Sequence, residues 1–476
     1  MKLAVIDSGT YCDFTLSYAV VKALLKEGHT IVLCTDKDNK VARPLQGLEI
    51  VRYESISKEL NEDPDVVNGM AATSVALENK MGHGWKFFGW INGDMHHFME
   101  SVMPKVDAIV FHYPALTYMA AIPESVLNTK HICAYYVAPG YPNIDAPWVF
   151  SLRLQDRSFM LRTQDPHQQF LNYNSPKVIW KQSSMLTLWN NRLIENTMRK
   201  ALIVSAWDPV YLPPTRPMPS DPLEFNVKQA GAIVDLDRIN ADFEPQVHDA
   251  QRAFVASAAG NLAYISLGSF DVGDKADQLV VALLDALPDI KLFFHDTKKL
   301  QRDDGFLRSL EREKPDRLLV WNGIPGVPGT DGVPHEWIVP KCRFIVTTGS
   351  ICVVNIALYH AVPLIIVPIL TEQFFWGKNY FQQAGVPYVN VKDASQTIAQ
   401  QVRNTTAALQ SPVVAEFHAA VQRSVRANDG AKLLAQHITQ SITNRSRREF
   451  GEGECKEMKA AVEKIRLEMV KRRLHV

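Results

Sequence analysis

At 476 residues, 46% of them hydrophobic, the chain is long enough for two globular domains with proper cores. Its 51 Lys and Arg balance 51 Asp and Glu, and this neutrality argues against nucleic acid as a main partner. No segment approaches the length of a membrane span, and the apolar run 3–6 stops at Asp7, too short for a signal peptide, so a cytoplasmic protein is expected. The six cysteines, Cys12, Cys34, Cys133, Cys342, Cys352 and Cys455, have no metal-like spacing and read as reduced structural thiols. Sequons at Asn404 and Asn444 are then accidental.

Residues 2–6 read as a strand, a helix runs from about 15 to 27 and stops at Gly28, and a second strand follows at 30–34. This βαβ unit lacks the GxGxxG of a dinucleotide site. Its loop, Asp7-Ser8-Gly9-Thr10-Tyr11-Cys12-Asp13, sets Asp13 beside the helix start, where a carboxylate commonly caps. Asp7 is a weaker candidate for chemistry, because a carboxylate directly after a strand more often bonds loop amides. Strand-like runs recur at 108–111, 131–137 and 201–204, as in a parallel sheet. Between them Trp85, Phe87, Phe88, Trp90, Trp148, Trp180 and Trp189 read as core aromatics. His83, His96, His97 and His112 lack ligand spacing, and Asp63-Pro64-Asp65 reads as a chance D-x-D string.

The prolines of 211–222 mark a surface loop, a strand follows at 227–234, and the acidic stretch 235–252 reads as an interdomain linker. Strand 262–267 then ends in Gly268-Ser269. Helix 278–287 and strands 290–294 and 318–321 continue an alternation that makes a second doubly wound sheet. In 334–377, strand 344–346 leads through the small hydroxylated turn Thr347-Thr348-Gly349-Ser350 into helix 351–360 and a buried strand at 363–367. That turn brings backbone amides to a helix N-terminus, which favours an anion such as a diphosphate. Thr371-Glu372-Gln373 follows at the carboxyl end of a parallel strand, where open α/β sheets place ligands. Helices at about 411–427 and, after Asn428-Asp429-Gly430, to about 442 close the domain. Past Arg445, Met458, Val462, Ile465 and Met469 fall at helical spacing in an amphipathic tail. Such a tail most often packs on its own domain or another subunit, and contact with a membrane surface is the less favoured alternative.

Several separated blocks resemble the donor-binding segment of the family 1 nucleotide-sugar glycosyltransferases, nearest the sterol glucosyltransferase and glycopeptide glycosyltransferase branch. They are Pro334-His335-Glu336-Trp337, Ala361-Val362-Pro363 through Val367-Pro368, and Glu372-Gln373-Phe374-Phe375-Trp376-Gly377. The centre departs from the family: Thr347-Thr348-Gly349-Ser350-Ile351-Cys352 stands where the family has His-His-Gly-Gly-Ala-Gly. The uracil-stacking Trp of plant-type relatives has no counterpart at Gly332, although Trp337 lies near.

The resemblance implies an α/β fold of two doubly wound Rossmann-like domains face to face, the GT-B architecture. The acceptor domain would occupy 1–235, the nucleotide-sugar domain 253–445 and the helical tail 446–476. It implies a metal-independent, inverting glycosyltransferase that moves a sugar from a nucleoside-diphosphate donor, a UDP-sugar by preference, to a hydroxyl of a small-molecule or glycan acceptor. The aromatic N-terminal half would suit a sterol or other lipid alcohol. Asp13 matches the family's catalytic base. Donor contacts fall to Gly268, Ser269, His335 at the ribose, Thr347, Thr348, Gly349, Ser350, and Glu372 with Gln373 at sugar hydroxyls. No cofactor is implied beyond the nucleotide sugar as co-substrate. The alternatives are a catalytically degenerate member that binds without turnover, and a GT-B enzyme of another reaction such as a sugar-nucleotide epimerase.

Overall fold

The computed structural model describes residues 1–7, 11–36, 45–53, 102–112, 130–137, 201–208, 210, 226–268, 274–296, 305–323, 332–369, 373, 377, 385–391 and 395–444. They divide into two compact units. The first takes its residues from 1–207, 218–233 and 428–476, and the second from 208–217 and 234–427.

In the first unit, short apolar runs become β1 (Lys2–Ile6), β2 (Thr30–Asp36), β3 (Leu48–Tyr53), β4 (Ala108–His112), β5 (His131–Tyr136), β6 (Leu202–Ser205) and β7 (Asn226–Gln229). They pair in parallel as one sheet ordered β3-β2-β1-β4-β5-β6-β7. Residues 3–6 and 108–111 are buried at every position, as expected of strands covered on both faces. Helix α1 (Tyr11–Lys26) links β1 to β2 and begins earlier than the sequence predicts, because no Gly or Pro interrupts residues 11–15. Asp13 is therefore its third residue and not its N-cap. The helix stops at Gly28, whose φ is +84°. The N–H groups of Gly28 and His29 bond back to the Leu25 and Leu24 carbonyls at 3.0 and 3.2 Å.

The second unit holds α2 (Leu236–Ile239), α3 (Asp249–Ser257), β8 (Leu262–Ser266), α4 (Asp274–Ala286), β9 (Lys291–His295), α5 (Phe306–Glu313) and β10 (Leu318–Trp321). It continues with α6 (His335–Ile338), β11 (Phe344–Thr347), α7 (Ile351–Tyr359), β12 (Leu364–Ile366), α8 (Ile398–Ala408) and α9 (Pro412–Ala427). Its parallel sheet runs β10-β9-β8-β11-β12. Ile265, Leu283, Leu292, Val320, Val346 and Ile365 share one buried cluster. Each fully buried aliphatic side chain contributes about 1.5–3 kcal/mol. The stretch 235–252, expected as a linker, is instead built into this unit: Asp235 accepts the Arg238 N–H to cap α2, and His248 with Gln251 forms a capping box on α3. Its polar residues are caps and ion-pair partners, which composition alone does not distinguish from a spacer. After α7 the chain stops as it does at Gly28, but with Ala361 in the left-handed position at φ +57°. The N–H groups of Ala361 and Val362 bond to the Leu358 and Ala357 carbonyls at 3.2 and 2.8 Å.

Helix α10 (Gly430–Thr443) follows the second unit in sequence but packs on α1 and β6 of the first, burying Leu434, Ala435, Ile438 and Ile442. His29 Nε2 lies 2.8 Å from Thr439 Oγ1, and His437 Nε2 lies 3.3 Å from the Gln229 carbonyl. A Cβ on Gly430 would fall 2.2 Å from the Ala232 carbonyl oxygen, so glycine is required there by backbone contact. The expected second-domain boundary at 445 thus differs from the observed one at 427, because contacts with partners some 200–400 residues earlier in the chain (|i−j| of 208 and 410) claim α10.

Candidate active site

Register decides which side chains share the carboxyl edge of the second sheet. Ser266 pairs with both His295 and Thr347, Trp321 pairs with His295, and Ile366 pairs with Thr347. The chain leaves β8 toward β9 and β10 and returns on the other side at β11, so strand order reverses between β8 and β11. Open α/β sheets hold ligands outside such a reversal.

Two turns leave the sheet at that point. Gly268 has φ +71° and Gly349 φ +93°, values that an L side chain adopts only with strain. A Cβ on Gly268 would lie 3.8 Å from Thr348 Oγ1, so the two turns adjoin. The second turn feeds α7, whose N-cap Ser350 makes no side-chain cap hydrogen bond and leaves the helix's entry unclosed by its own cap. Thr347 is 0% exposed, yet its Oγ1 has no hydrogen-bond partner among the described residues. Buried Gln373 accepts the Ile369 N–H at 3.0 Å and brings Nε2 to 3.4 Å from Thr348 Oγ1, bracing the turn.

His335 opens α6 with its ring beside Tyr264 and His295, at centroid distances of 5.8 and 6.4 Å. Its Nδ1 lies 3.2 Å from the Tyr264 hydroxyl, which lies 2.9 Å from His295 Nδ1. Burial pushes the His335 pKa below the ordinary value; the Glu336 charge pulls the other way and Arg238 adds to the lowering. The ring is therefore a neutral imidazole at pH 7, suited to a hydroxyl partner.

The neighbours of His335 face other tasks. Glu336 is buried and held by Arg238, Nε to Oε1 at 2.5 Å and Nη2 to Oε2 at 3.2 Å. Burial alone would raise the Glu336 pKa, but the hydrogen bonds and charge of Arg238 bring it below the usual carboxylate range. Trp337 is buried with the Lys341 ammonium 4.5 Å from its ring centre, so it is an anchor and not a surface on which a base stacks. The sequence gives no sign of the Arg238–Glu336 pair, whose members lie 98 positions apart.

At the carboxyl edge of the first sheet, residues read separately in the sequence meet. Asp7 Oδ1 accepts from Ser17 Oγ at 3.2 Å and Oδ2 from Thr35 Oγ1 at 2.9 Å, while Ser17 Oγ and the Tyr135 hydroxyl lie 2.8 Å apart. His112 stacks on Tyr135 at 4.9 Å, with Nδ1 3.9 Å from Asp7 Oδ1. All five residues are 0% exposed. The only sequence signal for this cluster is that Asp7, Thr35, His112 and Tyr135 each fall at or next to a strand's end.

Several expected residues lie outside the described ones: Ser269, Glu372, the aromatics from Trp85 to Trp189, His83, His96, His97, Asp63, Asp65 and the tail 446–476. Of Asp13 only the backbone, in the first turn of α1, is described. Among the described residues, no helix is long and apolar enough to cross a membrane, and no group of three or more His, Cys, Asp or Glu is placed to hold a metal ion.

No protein-family model matches the chain. It is 24% identical over 395 residues to a sterol 3-beta-glucosyltransferase of Vanderwaltozyma polyspora, covering 78% of this chain and 29% of that protein. The enzyme of the same name from Saccharomyces cerevisiae is 21% identical over 452 residues, covering 92% of this chain and 35% of the relative. The chain thus spans about a third of the length of these relatives. Among solved structures, the glycotransferase of kitacinnamycin superposes with a TM-score of 0.58 at 15% identity, covering 92% of this chain and 98% of that one. Medicago truncatula UGT71G1 complexed with UDP-glucose gives 0.57 at 12% identity, covering 93% and 98%. Two parallel-sheet α/β units and the likeness to these structures show the GT-B fold, and in sequence the chain is similar to sterol 3-beta-glucosyltransferases.

Proposed function

We propose that the chain is an inverting UDP-glycosyltransferase that moves a sugar, glucose first among candidates, from a nucleoside-diphosphate donor to the hydroxyl of a sterol-like or other lipid alcohol. The observation that carries this reading is the pair of adjoining glycine turns at the strand-order reversal, with the buried, partnerless Thr347 hydroxyl beside them. An unmet buried hydroxyl costs about 1–3 kcal/mol, which a ligand oxygen relieves. The names of the curated relatives support the acceptor class.

In this reading Gly268, Ser269, Thr347, Thr348, Gly349 and Ser350 receive the diphosphate with amides and hydroxyls, His335 meets the ribose, and Glu372 and Gln373 meet sugar hydroxyls. Neutral donors at a helix N-terminus stabilise the charge that grows on the leaving diphosphate without a metal or an imidazole. Asp13 takes the acceptor's proton as the hydroxyl oxygen bonds to the anomeric carbon; the carbon–oxygen bond to the diphosphate breaks and its electron pair leaves with the nucleotide. A reducing, cytoplasmic setting belongs to this reading, as the scattered cysteine positions in the sequence suggest.

The test is calorimetry with UDP-glucose, other UDP-sugars and dTDP-sugars, together with nucleotide release in the presence of sterols, on wild type and Asp13→Asn. One donor should bind and be consumed. Asp13→Asn should keep binding and lose release by about 10²–10⁴-fold. Absence of binding at millimolar donor overturns the transferase reading, and binding without turnover makes the chain a non-catalytic relative.

A further inference from the structure

A hydroxyl has one proton and can donate it to one acceptor only. The Tyr264 hydroxyl lies within hydrogen-bond distance of two imidazole nitrogens, His335 Nδ1 at 3.2 Å and His295 Nδ1 at 2.9 Å. If Tyr264 donates to one ring, the other must donate to Tyr264 through Nδ1–H. The two histidines are thereby coupled: a bare Nδ1 on one requires a protonated Nδ1 on the other. In a neutral ring this also settles Nε2, which is a donor where Nδ1 is bare and an acceptor where Nδ1 is protonated.

We propose that Tyr264 and His295 are positioning residues for the nucleotide donor, fixing the ring orientation and tautomer of His335 so that its Nε2 offers a ribose hydroxyl a single hydrogen-bonding sense. The inference rests on the reading of the second unit as a nucleotide-sugar site. Three structural facts support it. Tyr264 is fully buried in the central strand β8, so its hydroxyl is a fixed point. Phe293 packs edge-on against it at 5.8 Å and leaves the ring little freedom. His295 ends β9 in register with Ser266 at the carboxyl edge, so the Nδ1 chain has one end in the row of residues that borders the two turns. Neutrality of His335, imposed by burial, is the condition under which its tautomer carries information.

The experiment measures binding of UDP and of 2′,3′-dideoxy-UDP to wild type, Tyr264→Phe, His295→Leu and His295→Asn, each checked for native circular dichroism. Wild type should prefer UDP by about tenfold or more, the scale of one net hydrogen bond to a ligand hydroxyl. Tyr264→Phe and His295→Leu should shrink that preference to within about threefold while dideoxy-UDP binds as before. His295→Asn, whose amide reaches the position of Nδ1, should restore it. Should Tyr264→Phe not fold, the two His295 variants decide alone. A preference that survives Tyr264→Phe and His295→Leu, or an equal loss for both nucleotides, overturns the inference and leaves the donor reading standing. A wild type that binds UDP without preferring it also overturns the inference, whereas a wild type that binds neither nucleotide overturns the donor reading itself.

Discussion

The two sheets share parallel topology but finish their carboxyl edges in opposite ways. In the first unit Asp7, Ser17, Thr35, Tyr135 and His112 form a fully buried polar cluster in which the carboxylate accepts hydrogen bonds from two hydroxyls. In the second, two positive-φ glycines adjoin, the N-cap side chain stays out of the cap, and a buried hydroxyl has no partner among the described residues. The Asp7 carboxylate's bonds to Ser17 and Thr35 stabilise and fix the strands of the first edge, while a buried hydroxyl left unmet costs stability until a ligand oxygen meets it. In the proposed function, one edge is framework and the other is a receptor.

That contrast fails first, or holds best, at Asp7. Asp7→Ala leaves the Ser17 and Thr35 hydroxyls without their acceptor and should destabilise by about 2–5 kcal/mol in urea unfolding; a loss near zero would mean that the first edge is no framework. Gly349→Ala places a Cβ at φ +93° and should cost about 1–2 kcal/mol while weakening nucleotide binding. An Ala variant that binds UDP like wild type would remove the turn from the receptor. Helix stops sharpen the comparison further, since the first unit uses Gly28 where the second uses Ala361 at φ +57°. Ala361→Gly should raise stability by about 0.5–1 kcal/mol, with unchanged stability showing that Ala361 bears no strain. Thr347→Val removes that unmet buried hydroxyl and should raise stability, by up to about 1–3 kcal/mol in urea unfolding. Its nucleotide affinity should nevertheless fall about tenfold by calorimetry, equivalent to about 1.4 kcal/mol. A large stability loss there with intact binding would invert the contrast.

Much of the framework was legible in the sequence because it is local. Apolar runs located β1, β2, β4, β8, β10 and β11, and Gly28 announced the end of α1. Gly268 and Gly349 stand in turns that the sequence marks, and both adopt the left-handed backbone that only glycine enters freely. What stayed hidden depends on pairing across long stretches of chain. Asp7 and His112 meet because β1 lies beside β4. Arg238, in a stretch that composition marks as spacer, is the partner of Glu336. Ala361 conceals its strain because alanine is ordinarily a helix former. His335 was legible as a candidate, but its coupling to Tyr264 and His295 required the register of β8 and β9.

The docking of α10 on α1 and β6 has a consequence for synthesis on the ribosome. Translation delivers all of the second unit before residues 430–443, so the second unit can fold while the first still lacks a piece of its own core. Until that last helix emerges, the surface destined for Leu434, Ile438 and Ile442 is bare apolar protein, a natural landing place for a chaperone. A stop codon at position 428 would therefore damage the half of the molecule made first and spare the half made last.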